Sequence, residues 1–218
     1  MMLIMAVFLS ASYLLRSVAD EKENRVIEVI LSSVTARDLL TGKLIGLAGV
    51  GLTQVAVWVL MGAVPALLIF HRFVRIPAAA LGMFAVYFTL GFALYATLMA
   101  GIGALGTSYR ESQQIAGGVS FMAFSPFFVL MPILQSPNGV LAQVLSYIPF
   151  TAPLTLVLRT SVTDVPLVQS MAAILIMVVT IYFIHRLSVR LFRFGLLIYG
   201  KRPSFGETLR WLREARDA

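Results

Sequence analysis

Side chains able to do covalent or metal chemistry are few in this sequence, and their spacing suits it poorly. There are no cysteines, which excludes thiol catalysis, disulfide frameworks and Cys-type zinc sites. Two histidines, His71 and His185, lie too far apart in sequence to argue for a metal cluster. His185 and Ser188 share one edge of an apolar helical stretch, yet nothing identifiable orients the imidazole as a base for the hydroxyl. No Asp or Glu falls between Leu39 and Arg110, from Ser112 to Thr163, or from Val165 to Gly206. An ion-driven carrier ordinarily keeps an ionisable group inside the membrane, so the sequence points to energy supplied from outside the chain. Gly101, Gly103 and Gly106 spell G-x-G-x-x-G, but without the strand and βαβ context of a nucleotide site. Close helix packing on small residues explains them better, and the same reading covers Gly42, Gly46, Gly49 and Gly51.

Charge is concentrated instead. Residues 17–43 hold half of all the acids: Asp20, Glu21, Glu23, Glu28 and Asp38. The segment reads as a helix, with Glu21 and Arg25 as a favourable i,i+4 pair and Val26, Ile30 and Val34 as an apolar stripe. Two readings stay open: a solvated helix lying on the membrane surface, or a docking element for a soluble partner. Tyr109, Arg110 and Glu111, followed by Gln113 and Gln114, form either a plain turn or a second small contact surface. Pro126 and Pro132 predict a kink in the apolar stretch that contains them. Gln54, Trp58, Tyr87, Thr89, Tyr95 and Thr97 are polar or amphipathic groups at depth, read as bonding across helices rather than lining a path.

The elements that position these residues follow from composition. Of 218 residues, 59% are hydrophobic and 12% charged, and the mean hydropathy is +0.91. A soluble domain carries about twice that charge, and a disordered chain has the opposite balance. The expectation is an all-α, polytopic membrane protein. Apolar runs of about 20 residues are needed to cross the bilayer; the spans expected are about 1–15, 44–70, 76–106, 115–134 and 165–186. The first is read as a helix rather than a signal peptide, because its first charge, Arg16, follows the apolar run. Residues 140–158, containing Pro149 and Pro153, read as a re-entrant pair of short helices. With five spans, fourteen of the seventeen basic residues lie inside and Arg72, Arg75 and Arg159 outside, with a cytoplasmic C-terminus. The net charge of +7 is thereby assigned to cytoplasmic loops and membrane lipid rather than to nucleic acid. Residues 201–218 form a cytoplasmic amphipathic tail, with a capping box from Ser204 to Glu207.

The stretch from Glu21 to Ser33, continued by Leu39-Leu40-Thr41-Gly42-Lys43, strongly resembles the cytoplasmic elbow of type 2 ABC exporter permeases, particularly the NatB-like sodium-efflux branch. Ile102 to Leu105, Arg110 to Gln114, Tyr147 to Leu154 and Tyr199 to Ser204 match in the same order. The resemblance implies a permease domain over residues 1–200, multi-pass in the cytoplasmic membrane. It would move substrate outward by alternating access, driven by a separate ATPase subunit that carries ATP and Mg. It implies no catalytic residue and no cofactor on this chain, and pairing with a second permease half, as a homodimer or with a similar chain. Glu21, Glu23, Arg25 and Glu28 would contact the ATPase, with Arg110 and Glu111 as secondary contacts. Pro149, Phe150 and Pro153 would form an external re-entrant gate. The branch pattern is one helix, a large external domain, then five more helices. The first helix and that domain do not appear in this sequence, so a missing or separately encoded part is expected. A non-transporting scaffold or regulator and an intramembrane enzyme acting through His185 are the rival readings, and no local constellation selects a substrate.

Overall fold

The computed structural model describes residues 2–24, 26–70, 78–106 and 108–195, and every element among them is helical. Arg25, Arg72, Arg75 and the 201–218 tail with its capping box lie outside the described residues. The elements are α1 (Met2–Glu23), α2 (Val26–Leu31), α3 (Ala36–Phe70), α4 (Ala78–Leu105), α5 (Tyr109–Phe128), α6 (Leu130–Gln135), α7 (Val140–Tyr147), α8 (Ala152–Val162) and α9 (Leu167–Gly195).

The charged segment 17–43 is therefore not one helix. Its first part continues α1, a short α2 stands alone, and its last part opens α3. Local side chains explain the breaks. The Ser32 and Ser33 hydroxyls donate back to the carbonyls of Val29 and Ile30, competing with helix continuation. Thr35 then caps α3: its Oγ1 accepts from the Asp38 amide at 3.1 Å while donating to the Asp38 carboxylate at 2.6 Å.

α4 is the centre of the molecule, packed mainly between α1 and α9. Its glycines set the spacing. A Cβ on Gly103 would stand 2.8 Å from the Leu15 carbonyl of α1, and one on Gly101 would stand 2.5 Å from Ser188 Oγ of α9. The main core joins Leu14, Leu15 and Val18 of α1 to Phe88, Phe92, Tyr95 and Met99 of α4, with Leu40 of α3 and Ala116 and Ala123 of α5. Phe8 wedges between Tyr95 and Phe124, with ring centroids 4.8 and 5.1 Å away. A second cluster, at the α8 side, holds Tyr87, Ala152, Leu156, Ala173 and Met177. By contrast a Cβ on Gly42, Gly46 or Gly49 of α3 would meet nothing within 4 Å, so the packing role expected of them is not realised among the described residues.

The expected span 115–134 is broken in two at Val129. Pro132 supplies no N–H for the Phe128 carbonyl, and its ring would press on that carbonyl, so α5 stops there. Pro126 is tolerated inside α5 because the carbonyl it orphans, that of Met122, accepts from the Ser125 hydroxyl at 2.7 Å. Among the described residues two stretches are long and apolar enough to cross a membrane, Gly82–Leu105 and Leu167–Leu191, against the five spans expected. Much of the first is covered by protein, whereas the second is largely open on its outer face.

Candidate functional site

The last turn of α1 carries four consecutive charges, Asp20 to Glu23, and the last three are each fixed by a different neighbour. Glu21 Oε1 pairs with Lys43 Nζ of α3 at 2.5 Å, and Lys43 also donates to Ser17 at 2.7 Å. Lys22, only 5% exposed, donates from Nζ to the carbonyls of Ala104 and Gly106 at 2.7 and 3.0 Å. Those carbonyls belong to the end of α4, where unpaired acceptors and the negative pole of the helix favour a cation. Glu23 Oε2 accepts from the Tyr109 amide at 3.4 Å, at the start of α5, where the positive pole favours an anion. One short stretch thus straddles the α4–α5 turn with the charge sign each helix end prefers. Arg16 lies over the Tyr109 ring, 5.7 Å from its centroid, and forms an exposed pair with Asp20.

Burial pushes the Lys22 ammonium below its ordinary pKa, while the nearby Glu111 carboxylate pulls the other way. Two patches distant in sequence, 21–23 and 109–111, therefore share one junction, from which α2 departs. Arg110 is exposed there. Glu28 sits in α2, and Arg25 lies outside the described residues. Val26, Val29 and Val34, in and just after α2, are 47%, 72% and 43% exposed, an apolar surface beside the charged junction. Lys22 had no place among the expected contacts.

The Pro149–Pro153 turn lies far from this junction, between α7 and α8. Ile148 takes an extended conformation ahead of Pro149, which ends α7, and Pro153 falls in the first turn of α8 where its missing N–H costs nothing. Thr151 Oγ1 donates to the Leu145 carbonyl at 2.6 Å, closing the turn. The turn docks on α4: the Tyr95 hydroxyl donates to the Phe150 carbonyl, and a Cβ on Gly91 would stand 2.9 Å from Pro153 Cβ. Tyr95 thus bonds across elements, whereas Thr89 and Thr97 donate to carbonyls of their own helix.

On α9, Ser188 is buried and donates to the Thr97 carbonyl at 2.8 Å, so its hydroxyl is engaged with α4 rather than with His185.

Among the described residues, two helices long and apolar enough to cross a membrane, with α4 packed between α1 and α9 and a charged junction at its C-terminal end, fit an integral membrane protein built from α-helices. The chain belongs to the ABC-2 family of transporter proteins, whose family model matches residues 1–188. It is 34% identical over 198 residues to "Uncharacterized protein MJ1024" of Methanocaldococcus jannaschii, covering 91% of this chain and 48% of that protein. It is 29% identical over 223 residues to "Uncharacterized protein YhaP" of Bacillus subtilis, covering 97% of this chain and 53% of that one. The chain thus spans about half the length of these curated relatives. No solved structure matches.

Proposed function

We propose that the chain is a transmembrane permease subunit of an ATP-binding-cassette exporter, moving substrate outward across the cytoplasmic membrane by alternating access. A separate ATPase subunit, holding ATP and Mg, docks on α2 and the junction beside it, and a second permease half completes the path. The observation that carries the reading is the junction itself: α2 leaves directly from a turn whose Lys22 and Glu23 grip the facing ends of α4 and α5. A push on α2 therefore reaches two membrane helices through charge-assisted bonds rather than through a loose loop. Glu23, Glu28 and Arg110 are the docking contacts. Glu21, paired to Lys43, holds the junction's shape. The 149–153 turn is the outer gate.

The test is charge reversal, Glu23→Lys with Glu28→Lys, in the permease reconstituted with its ATPase. Stimulation of ATP hydrolysis is expected to fall several-fold while membrane insertion stays at the wild-type level. Unchanged stimulation would remove the junction from the coupling path.

A further inference from the structure

Arg159 of α8 is the largest fully buried side chain among the described residues, at 0% exposure. None of the ion pairs formed among those residues involves it. Its partners are neutral, and they come from three separate segments. Nη1 donates to Ser146 Oγ of α7 at 3.0 Å. Nη2 donates to Asn138 Oδ1, in the turn before α7, at 3.2 Å and to Gln169 Oε1, in the first turn of α9, at 3.0 Å. Nε has no partner. The two acceptors in the hairpin are themselves tied down: Ser146 donates to the Ala142 carbonyl at 2.7 Å, and the Asn138 main-chain carbonyl accepts from the Gln143 side chain at 2.7 Å.

An apolar side chain of similar size is ordinarily cheaper to bury than an ion, so what the guanidinium supplies here is geometry. Its planar fork can hold acceptors on different segments in fixed relative positions, which a single ammonium on a flexible stem cannot. Two of the acceptors lie in the hairpin and one lies across the gap on α9. We infer that Arg159 is the positioning residue that locks the 136–162 hairpin to the first turn of α9, so that the two move as one body. The hairpin's tip rests on Gly91 and Tyr95 of α4. The turn that the permease reading makes the outer gate therefore follows displacement of α9 against α4.

The lack of native cysteines makes the test direct. Spin labels on cysteines introduced at Val140 and Leu167, 80% and 75% exposed, report hairpin against α9 in the chain held in lipid nanodiscs. A second pair, at Val140 and Val162, reports the hairpin alone. The wild-type background should give a narrow distance distribution for both. Gln169→Ala removes only the α9 acceptor, and Arg159→Lys keeps the charge but loses the fork. Both should broaden the Val140–Leu167 distribution at least twofold, and Gln169→Ala should leave the Val140–Val162 distribution narrow. Gln169→Glu, which keeps an acceptor, should retain the wild-type width. A wild-type width for the Val140–Leu167 pair in Gln169→Ala would overturn the lock. The same result in Arg159→Lys would show that charge without the fork suffices, and would overturn the positioning role.

Discussion

Lys22 is held where burial works against its charge and two carbonyls work for it. A hydrogen bond from a charged donor contributes about 1.5–3 kcal/mol, so Lys22→Met is expected to destabilise the protein by roughly that amount at neutral pH. The pH dependence has a definite sign. The folded-state pKa is lowered by desolvation, so between that value and the ordinary 10.5 the unfolded chain binds more protons than the folded one. Stability conferred by Lys22 therefore rises with pH across this window. Glu111 faces the ammonium and moderates the effect. Thermal unfolding at pH 7 and pH 10 should show the gap between wild type and Lys22→Met widening at the higher pH; a gap that narrows would contradict the desolvated setting. The sequence did not disclose this residue, because its acceptors are backbone carbonyls 82 and 84 positions away. Arg159 was hidden for a related reason: it was counted among the external basic residues, and its neutral partners leave no charge pattern to read. Glu23 was legible as one of the acids crowded beside an apolar stripe in an otherwise acid-poor chain, and Glu111 only as part of a short polar turn; that the two approach one junction was not legible, because 86 positions separate Glu23 from Tyr109.

Among the elements, small residues divide into those a neighbour requires and those none does. Gly103 is required: a methyl there would press on the Leu15 carbonyl, a backbone atom that moves only with α1. Gly103→Ala is expected to cost about 1–3 kcal/mol through overpacking. Gly46, also inside a helix and with nothing within 4 Å, should respond oppositely. Gly46→Ala gains helix propensity, up to about 1 kcal/mol. Opposite shifts in melting temperature check the pair, and a destabilised Gly46→Ala would mean that something other than the described residues occupies that face. Sequence spacing alone treats both alike, since each belongs to a run of small residues, and only the placement of α1 separates them. The proline positions were more informative. Pro149 and Pro153 marked the α7–α8 turn because a missing N–H and a fixed φ act locally. At Pro126 and Pro132 the expected kink became a full break at Val129 in one case and a helix rescued by Ser125 in the other.

For the whole molecule α4 serves as a ruler. Its 28 residues extend about 42 Å at 1.5 Å per residue. The junction with α1 and α5 sits at its C-terminal end, where Lys22 reaches Ala104 and Gly106. The 149–153 turn touches it at Gly91, fourteen residues earlier and therefore about 21 Å away. That places the turn near the middle of a helix long enough to cross a bilayer of ~30 Å hydrocarbon. Charge argues for the side: a cytoplasmic junction puts Arg16, Lys22, Arg37, Lys43 and Arg110 on the face where basic loops are retained. The two ends of the ruler should then face opposite compartments. Single cysteines at Arg110 and at Val140, the second 80% exposed, report this in sealed vesicles treated with a membrane-impermeant maleimide. Right-side-out vesicles should label Val140→Cys and spare Arg110→Cys, and inverted vesicles should do the reverse. Labelling of both positions from one side would mean that α4 does not separate the junction from the hairpin across the membrane, and an elbow-driven outer gate would lose its geometric basis.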